Sequence, residues 1–272
     1  MPRVFRSNVF SNKKEHWSHG LASEVYRDGT FELVPIDNRY APADMSVDTY
    51  QDIPSWHKPT KSLAKYLGMS KEVASWTAHD DPDLHTEMAY GGTWTPRDRV
   101  LFSKARPGDF LLFIAHLAFA SEPGRPEPDH RKSGWYLVGC LAIEDINIAG
   151  PGERHSSKHR GHAHAQIADY WGGVPDYMDR SVIVQGRRDR LEQRFQSAVP
   201  LLTEAECRKL VRDKSGQPPT FTTGTSIKER MVHFTRTGRC IGDTDIEADL
   251  SYLKTLKDAI VELNPGTRKL LW

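Results

Sequence analysis

Cysteine is scarce. Cys140, Cys207 and Cys240 are the three in 272 residues; they are odd in number, widely spaced and lack a C-x-x-C pair. That argues against a disulfide framework or a zinc ribbon, and fits reduced thiols in the cytoplasm. Charge of one sign is lacking too. Thirty-seven basic and 36 acidic side chains leave a formal +1, so the chain is no blanket phosphate binder, and any nucleic-acid surface must come from local clustering of Lys and Arg. Long apolar runs are missing. The longest, Phe110 to Ala120, is interrupted by His116 and is too short to span a bilayer. The opening Met1-Pro2-Arg3-Val4-Phe5 has no apolar run resembling a signal peptide. No membrane partner is expected. There is no internal repeat, no low-complexity linker and no H-E-x-x-H.

What is present reads as a soluble α+β domain spanning 1–272, with either a mixed sheet or a barrel core and flanking helices. Thr30 to Ile36 follows an Asp28-Gly29 turn and predicts a strand. Residues 61–78 space Leu63, Tyr66, Leu67, Val73 and Trp76 as on a helix, with a break at Gly68. Thr95-Pro96-Arg97-Asp98 predicts a helix start running to Lys104. Arg106-Pro107-Gly108-Asp109 turns into a buried strand, Phe110 to Ile114, and Trp135 to Ile143 predicts a second. Thr203-x-x-Glu206 and Thr244-x-x-Glu247 resemble capping boxes, the second opening a helix with Ile246, Leu250, Leu253, Leu256 and Ile260 on one face. Segments 145–170 and 213–226 read as long polar loops. Strands and helices do not alternate regularly, which argues against a doubly wound parallel sheet.

Chemistry concentrates in three places. In His79-Asp80-Asp81-Pro82-Asp83-Leu84-His85-Thr86-Glu87, seven of nine residues can bind a proton, a metal or a hydrogen-bond partner. An extended chain would point Asp81 and Asp83 to one face, as a metal pair or a proton-sharing pair. The bland alternative is a solvated acidic loop. His155 to His164 holds four histidines in ten residues. His162 and His164, two apart in a strand, would face the same way, whereas His155 and His159 read as incidental members of a mobile loop. Finally, Arg187, Arg188 and Arg190 follow Gly186 at a candidate helix start. They suit phosphate, or equally an ordinary salt-bridged surface. Trp94 and Trp171 lie in turn-like stretches with glycines close by and are candidates for stacking an extruded base.

Taken in order, these segments resemble the third family of nucleotide modification associated domains. The resemblance rests on Asp28-Gly29-x-Phe31 with Pro35-Ile36, on Asp80-Asp81-Pro82-Asp83 leading to Tyr90-Gly91, and on Arg106-Pro107-Gly108-Asp109-Phe110. Val138-Gly139, Ala163-His164 and Val184-x-Gly186 extend it over most of the chain. The chain departs from the pattern at Gly92, where the family has an aspartate after Tyr-Gly; Glu87 is a candidate replacement. The resemblance implies work on hypermodified DNA bases in bacteria or phages, without specifying a reaction. A looser likeness, in the Pro-Gly-Asp turn and the strand ending Val-Gly, is to the PUA-like barrels of EVE and ASCH modules, which implies a reader of modified bases.

Two main expectations follow. An enzyme acting on a base or nucleotide of DNA would use His79, Asp81, Asp83, Tyr90 and His164 catalytically, with Asp81, Asp83 and His164 holding a divalent metal. Arg187, Arg188, Arg190, Trp94 and Trp171 would contact nucleic acid. A non-catalytic reader would instead rely on the tryptophans. A nuclease ranks below both, because no lysine stands in nuclease spacing with the acids.

Overall fold

The computed structural model describes residues 4–8, 21–37, 48–79, 81–93, 103–127, 130–176, 179–203, 240–241 and 246–269. In chain order the strands are β1 Val4–Asn8, β2 Glu24–Val25, β3 Phe31–Glu32, β4 Ile36–Asp37, β5 Ala78–His79 and β6 Ala89–Thr93. There follow β7 Phe110–Ala120, β8 Pro126–Glu127, β9 Gly134–Ala149, β10 Ser181–Gly186, β11 Arg194–Thr203 and β12 Cys240–Ile241. The helices are α1 Leu63–Leu67, α2 Lys71–Ala74, α3 Ala163–Tyr170 and α4 Ile246–Leu263.

The apolar run of β7 is the centre of the sheet because ten of its eleven residues are buried, which only a strand covered on both faces tolerates. It pairs parallel with β1 and antiparallel with β9. Beyond β9 come β10 and then β6, both antiparallel. β2 and β8 add to the far end of β7, and β3 to β2. The result is a mixed ten-stranded sheet whose main path runs open from β12 to β6, with no closed barrel among the described residues. β4 and β5 form a separate pair. The mixed-sheet form of the α+β expectation therefore holds.

β9 is longer than the sequence predicts, and its two halves do different jobs. Gly134 to Ala142 lies against β7, with β11 on its other side. Ile143 to Ala149 carries β10 instead. The predicted strand stops at Ile143 because Glu144 and Asp145 look like a loop; in fact they ride on a half-exposed ribbon. The predicted loop over 145–170 is overturned with it, since strand, a 3-10 turn at Ser157–His159 and α3 occupy much of it.

Elsewhere local chemistry reads through. The 61–78 segment splits where expected, with Gly68 left-handed at φ 66° closing α1. Ser62 and Ser70 cap α1 and α2. α4 buries Leu256 and Ile260 against the sheet core and ends before Asn264. The helix predicted from Thr95 falls mostly outside the described residues, as does 213–226. No helix among the described residues is long and apolar enough to cross a membrane.

One buried pair makes stability depend on pH. Glu24 on β2 lies directly across from Glu32 on β3, and both are fully buried. Glu32 accepts backbone N–H groups from Leu33, Trp56 and His57. Glu24 Oε2 takes the Tyr26 hydroxyl at 3.0 Å and the Gly124 N–H at 3.1 Å. Burial raises the Glu24 carboxyl to about 7, against the pull of those two donors. A raised folded-state value means the folded chain holds this proton where the unfolded chain has released it. The contribution of Glu24 is therefore full below about pH 4.5 and is lost as pH rises toward about 7. Histidines with depressed values push the opposite way in acid, so the informative quantity is a difference between proteins. In urea unfolding, wild type should lose on the order of 3 kcal/mol relative to Glu24→Gln between about pH 4.5 and about pH 8.

Candidate metal centre

The acidic segment is pinned from below. Leu84 is fully buried, and its Cδ1 sits where a Cβ on Gly139 would approach to 2.8 Å, so Gly139, in the interior of β9, makes room for it. Just before this anchor the two aspartates part. The Asp81–Pro82 bond is cis. Asp83 turns back on its own loop. Its carboxylate accepts the N–H groups of His85, Thr86 and Glu87 at 2.9, 2.8 and 3.1 Å, and the Thr86 hydroxyl. The expectation that both carboxylates share one face is thus corrected.

Asp81 points to the opposite partner set. After the turn the chain enters β6, where Tyr90 and Gly91 face opposite sides. Tyr90 packs into the main core, its ring 5.6 Å from that of Phe113. Gly91 faces α3. A Cβ there would lie 2.2 Å from His164 Cδ2 and 2.5 Å from His162 Cε1, so only glycine lets the two imidazoles lie on the strand. α3 comes close because its inner side is alanine: Ala165 packs with Ala89 and Ile183, and Ala168 with Ala149 and Val174.

Three histidines converge on the Asp81 carboxylate. His79 Nε2, from β5, is 3.3 Å from Oδ2, and His164 Nε2 is 3.2 Å from the same oxygen. His162 Nε2 is 3.5 Å from Oδ1, which also accepts the Gly91 N–H at 2.9 Å. His79, Asp81 and His164 offer one ligand atom each, all within 4.8 Å of one another. Burial opposes a charge on Asp81, but the hydrogen bonds and charges of the surrounding histidines outweigh it and hold the carboxyl well below its usual range. Burial lowers His164 to about 4 despite Asp81, so its ring is neutral near pH 7. The side chains of His79 and His164 keep 20% and 13% of their surface exposed, leaving the cluster open on one side.

The histidines at 162 and 164 are not strand neighbours, contrary to expectation. His162 is the N-cap of α3 and His164 lies in its first turn, their rings stacked with centroids 5.6 Å apart. Nor do His155 and His159 stand in a mobile loop; both are buried. His155 bridges Asn147 Oδ1 at 2.7 Å and Ser181 Oγ at 2.8 Å, and His159 Nε2 lies 3.5 Å from Asp145.

The arginines are engaged by other partners than Asp81. Arg187 and Arg190 pair with Asp189, and Arg188 with Glu87 and the Lys158 carbonyl. No helix starts there; a turn and a three-residue 3-10 element lead into β11, which removes the helix-terminus phosphate site expected from sequence. The same Glu87, the candidate stand-in acid, is tied up by Arg188. Trp171, 58% exposed, ends α3 with its ring 5.2 Å from that of Tyr170. Trp94 lies outside the described residues.

A mixed-sheet α+β domain with a buried carboxylate ringed by histidines is the class that fold and site define. The chain belongs to the family described as nucleotide modification associated domain 3, whose model matches residues 9–239. No curated protein and no solved structure matches it.

Gly91→Ala tests the packing. The added methyl must push both imidazoles off the strand, so chemical denaturation should show a loss of about 1–3 kcal/mol. An unchanged midpoint would mean the rings do not lie on Gly91.

Proposed function

We propose that this protein is a metal-dependent enzyme acting on a base or nucleotide in a DNA base-modification system, with His79, Asp81 and His164 as the metal ligands. The observation that carries this reading is the convergence of two imidazole nitrogens on one carboxylate oxygen at 3.2 and 3.3 Å. Bonds of about 2.1 Å to a common ion put neighbouring donors about 3 Å apart, which the two histidine-to-Asp81 spacings already approach, with all three donor atoms within 4.8 Å of one another. Two imidazole nitrogens and one carboxylate suit ions of the iron(II)-to-zinc range, and three protein ligands leave positions for water and substrate. Such an ion would supply Lewis acidity or redox chemistry, and the chain supplies its orientation. Family membership provides the nucleotide setting. Asp83 is in this reading a turn-building residue, and Tyr90 a core residue behind the site.

Metal analysis of the purified protein, with a melting screen against divalent ions, tests it. Wild type should bind about one ion per chain, and His79→Ala and Asp81→Asn should bind none. Asp83→Asn should keep the ion but lose about 1–2 kcal/mol of stability through its broken turn. Metal retained by Asp81→Asn, or no metal in wild type, would sink the proposal.

The exposed Trp171 favours a second reading, a stacking surface for an extruded base. Alone it would serve a reader; at the far end of α3 from His162 and His164, it would hold a base whose nucleotide reaches the cluster in an enzyme. Trp171→Ala should weaken binding of a modified nucleoside several-fold while leaving metal content unchanged. Equal affinity in the two proteins would remove Trp171 from the substrate surface.

A further inference from the structure

The cluster contains one more imidazole than a three-ligand site needs, and the hydrogen bonding of that ring decides its role. His162 is the N-cap of α3, with an extended backbone at φ −77° and ψ 140°. Its Nδ1 accepts the His164 N–H at 3.2 Å. A ring nitrogen that accepts a hydrogen bond carries no proton, so in the neutral ring the proton sits on Nε2. That Nε2, wholly buried, makes no hydrogen bond among the described residues, and the nearest carboxylate oxygen, Asp81 Oδ1, lies 3.5 Å away, close enough for a small closing shift to make one. It presents an N–H, not a lone pair.

We infer that His162 is a positioning residue for the proposed metal centre: it holds Asp81 by Oδ1 so that Oδ2 alone faces the ion between His79 and His164. This rests on the metal reading above. Two N–H groups, from Gly91 at 2.9 Å and from His162, then converge on Oδ1. They bias the carboxylate toward one-oxygen coordination and fix its plane. The helix is part of the device. The amide that sets the tautomer belongs to His164, so a ligand's own backbone N–H determines how its neighbour addresses the other ligand. Forming α3 and orienting Asp81 are one event. Gly91 completes it, since it both donates to Oδ1 and leaves the space that the two rings fill.

The informative variant is His162→Asn. Asparagine caps helices as well as any residue, so α3 keeps its start. It is too short to carry an N–H to Asp81 in place of Nε2. Cobalt(II) is the probe. X-ray absorption on the cobalt-loaded full chain should count two imidazoles in wild type and two in His162→Asn, and titration should show cobalt bound about 10–100-fold more weakly by the variant. Three imidazoles in wild type, or one fewer in the variant, would make His162 a ligand and overturn the inference while leaving the metal centre standing. Two imidazoles with unchanged affinity would overturn it equally, by showing that the ring does not orient Asp81. Failure of wild type to bind cobalt would overturn both this inference and the reading beneath it.

Discussion

A carboxylate without water must be answered by donors, and the local structure around β6 follows from how Asp81 is answered. A buried, uncompensated carboxylate costs several kcal/mol. Here the compensation comes from His79 on β5, Gly91 on β6, and His162 and His164 on α3. No single segment could solve the problem. The pair β4–β5, the sheet edge at β6 and the helix above it are drawn to one point. Removing the whole side chain would leave three ring nitrogens without their common partner, which is why isosteric Asp81→Asn is the sharper probe and truncation the blunter one.

The sheet makes that meeting possible by working on two sides. On one, Val182, Val184, Tyr90 and Leu141 close the main core. On the other, the alternate residues of the same strands, Ser181, Ile183, Ala89 and Gly91, form the bed of α3 and the histidine cluster. β9 extends beyond the β7 pairing to carry β10, and β10 carries β6. The site thus sits on an outer wing of the sheet, away from the strands β1 and β7 at its centre. His155, clamped between Asn147 on β9 and Ser181 on β10, ties the chain leading into α3 to that wing.

Much of the frame was legible because it depends on local signals. The apolar run of β7, the Gly68 break and the apolar stripe of α4 each report on nearest neighbours along the chain. The site was half legible. His79, Asp81 and His164 stood out as residue types, but their meeting depends on the sheet register and on helix placement, which periodicity does not encode. α3 was missed because its cap is a histidine and its buried side is alanine, neither of which announces an amphipathic helix. The role of Gly91 was hidden for the same reason: a glycine beside a tyrosine looks like a turn, and only the rings above it show why no Cβ is allowed. The arginines read two ways in the sequence, as phosphate ligands or as a salt-bridged surface. Asp189 and Glu87 stand within reach and engage all three.

Two aspartates only two residues apart therefore end with opposite roles, and the donors around them decide which. Asp83 meets the N–H groups of its own turn, three of them plus a hydroxyl, and nearly every lone-pair direction of its carboxylate is taken. Such a group is saturated; it fixes a loop and has little left for a cation. Asp81 accepts a single backbone N–H, and its other oxygen faces ring nitrogens of His79 and His164. An imidazole, unlike an amide N–H, can present either a proton or a lone pair. The Oδ2 side of Asp81 can thus pass from a hydrogen-bonded cluster to a coordinated ion by exchange of protons for metal, with the heavy atoms nearly in place. What separates the two carboxylates in this chain is their partners: Asp83 is held by the donors of its own turn, and Asp81 by rings that can offer either a proton or a lone pair.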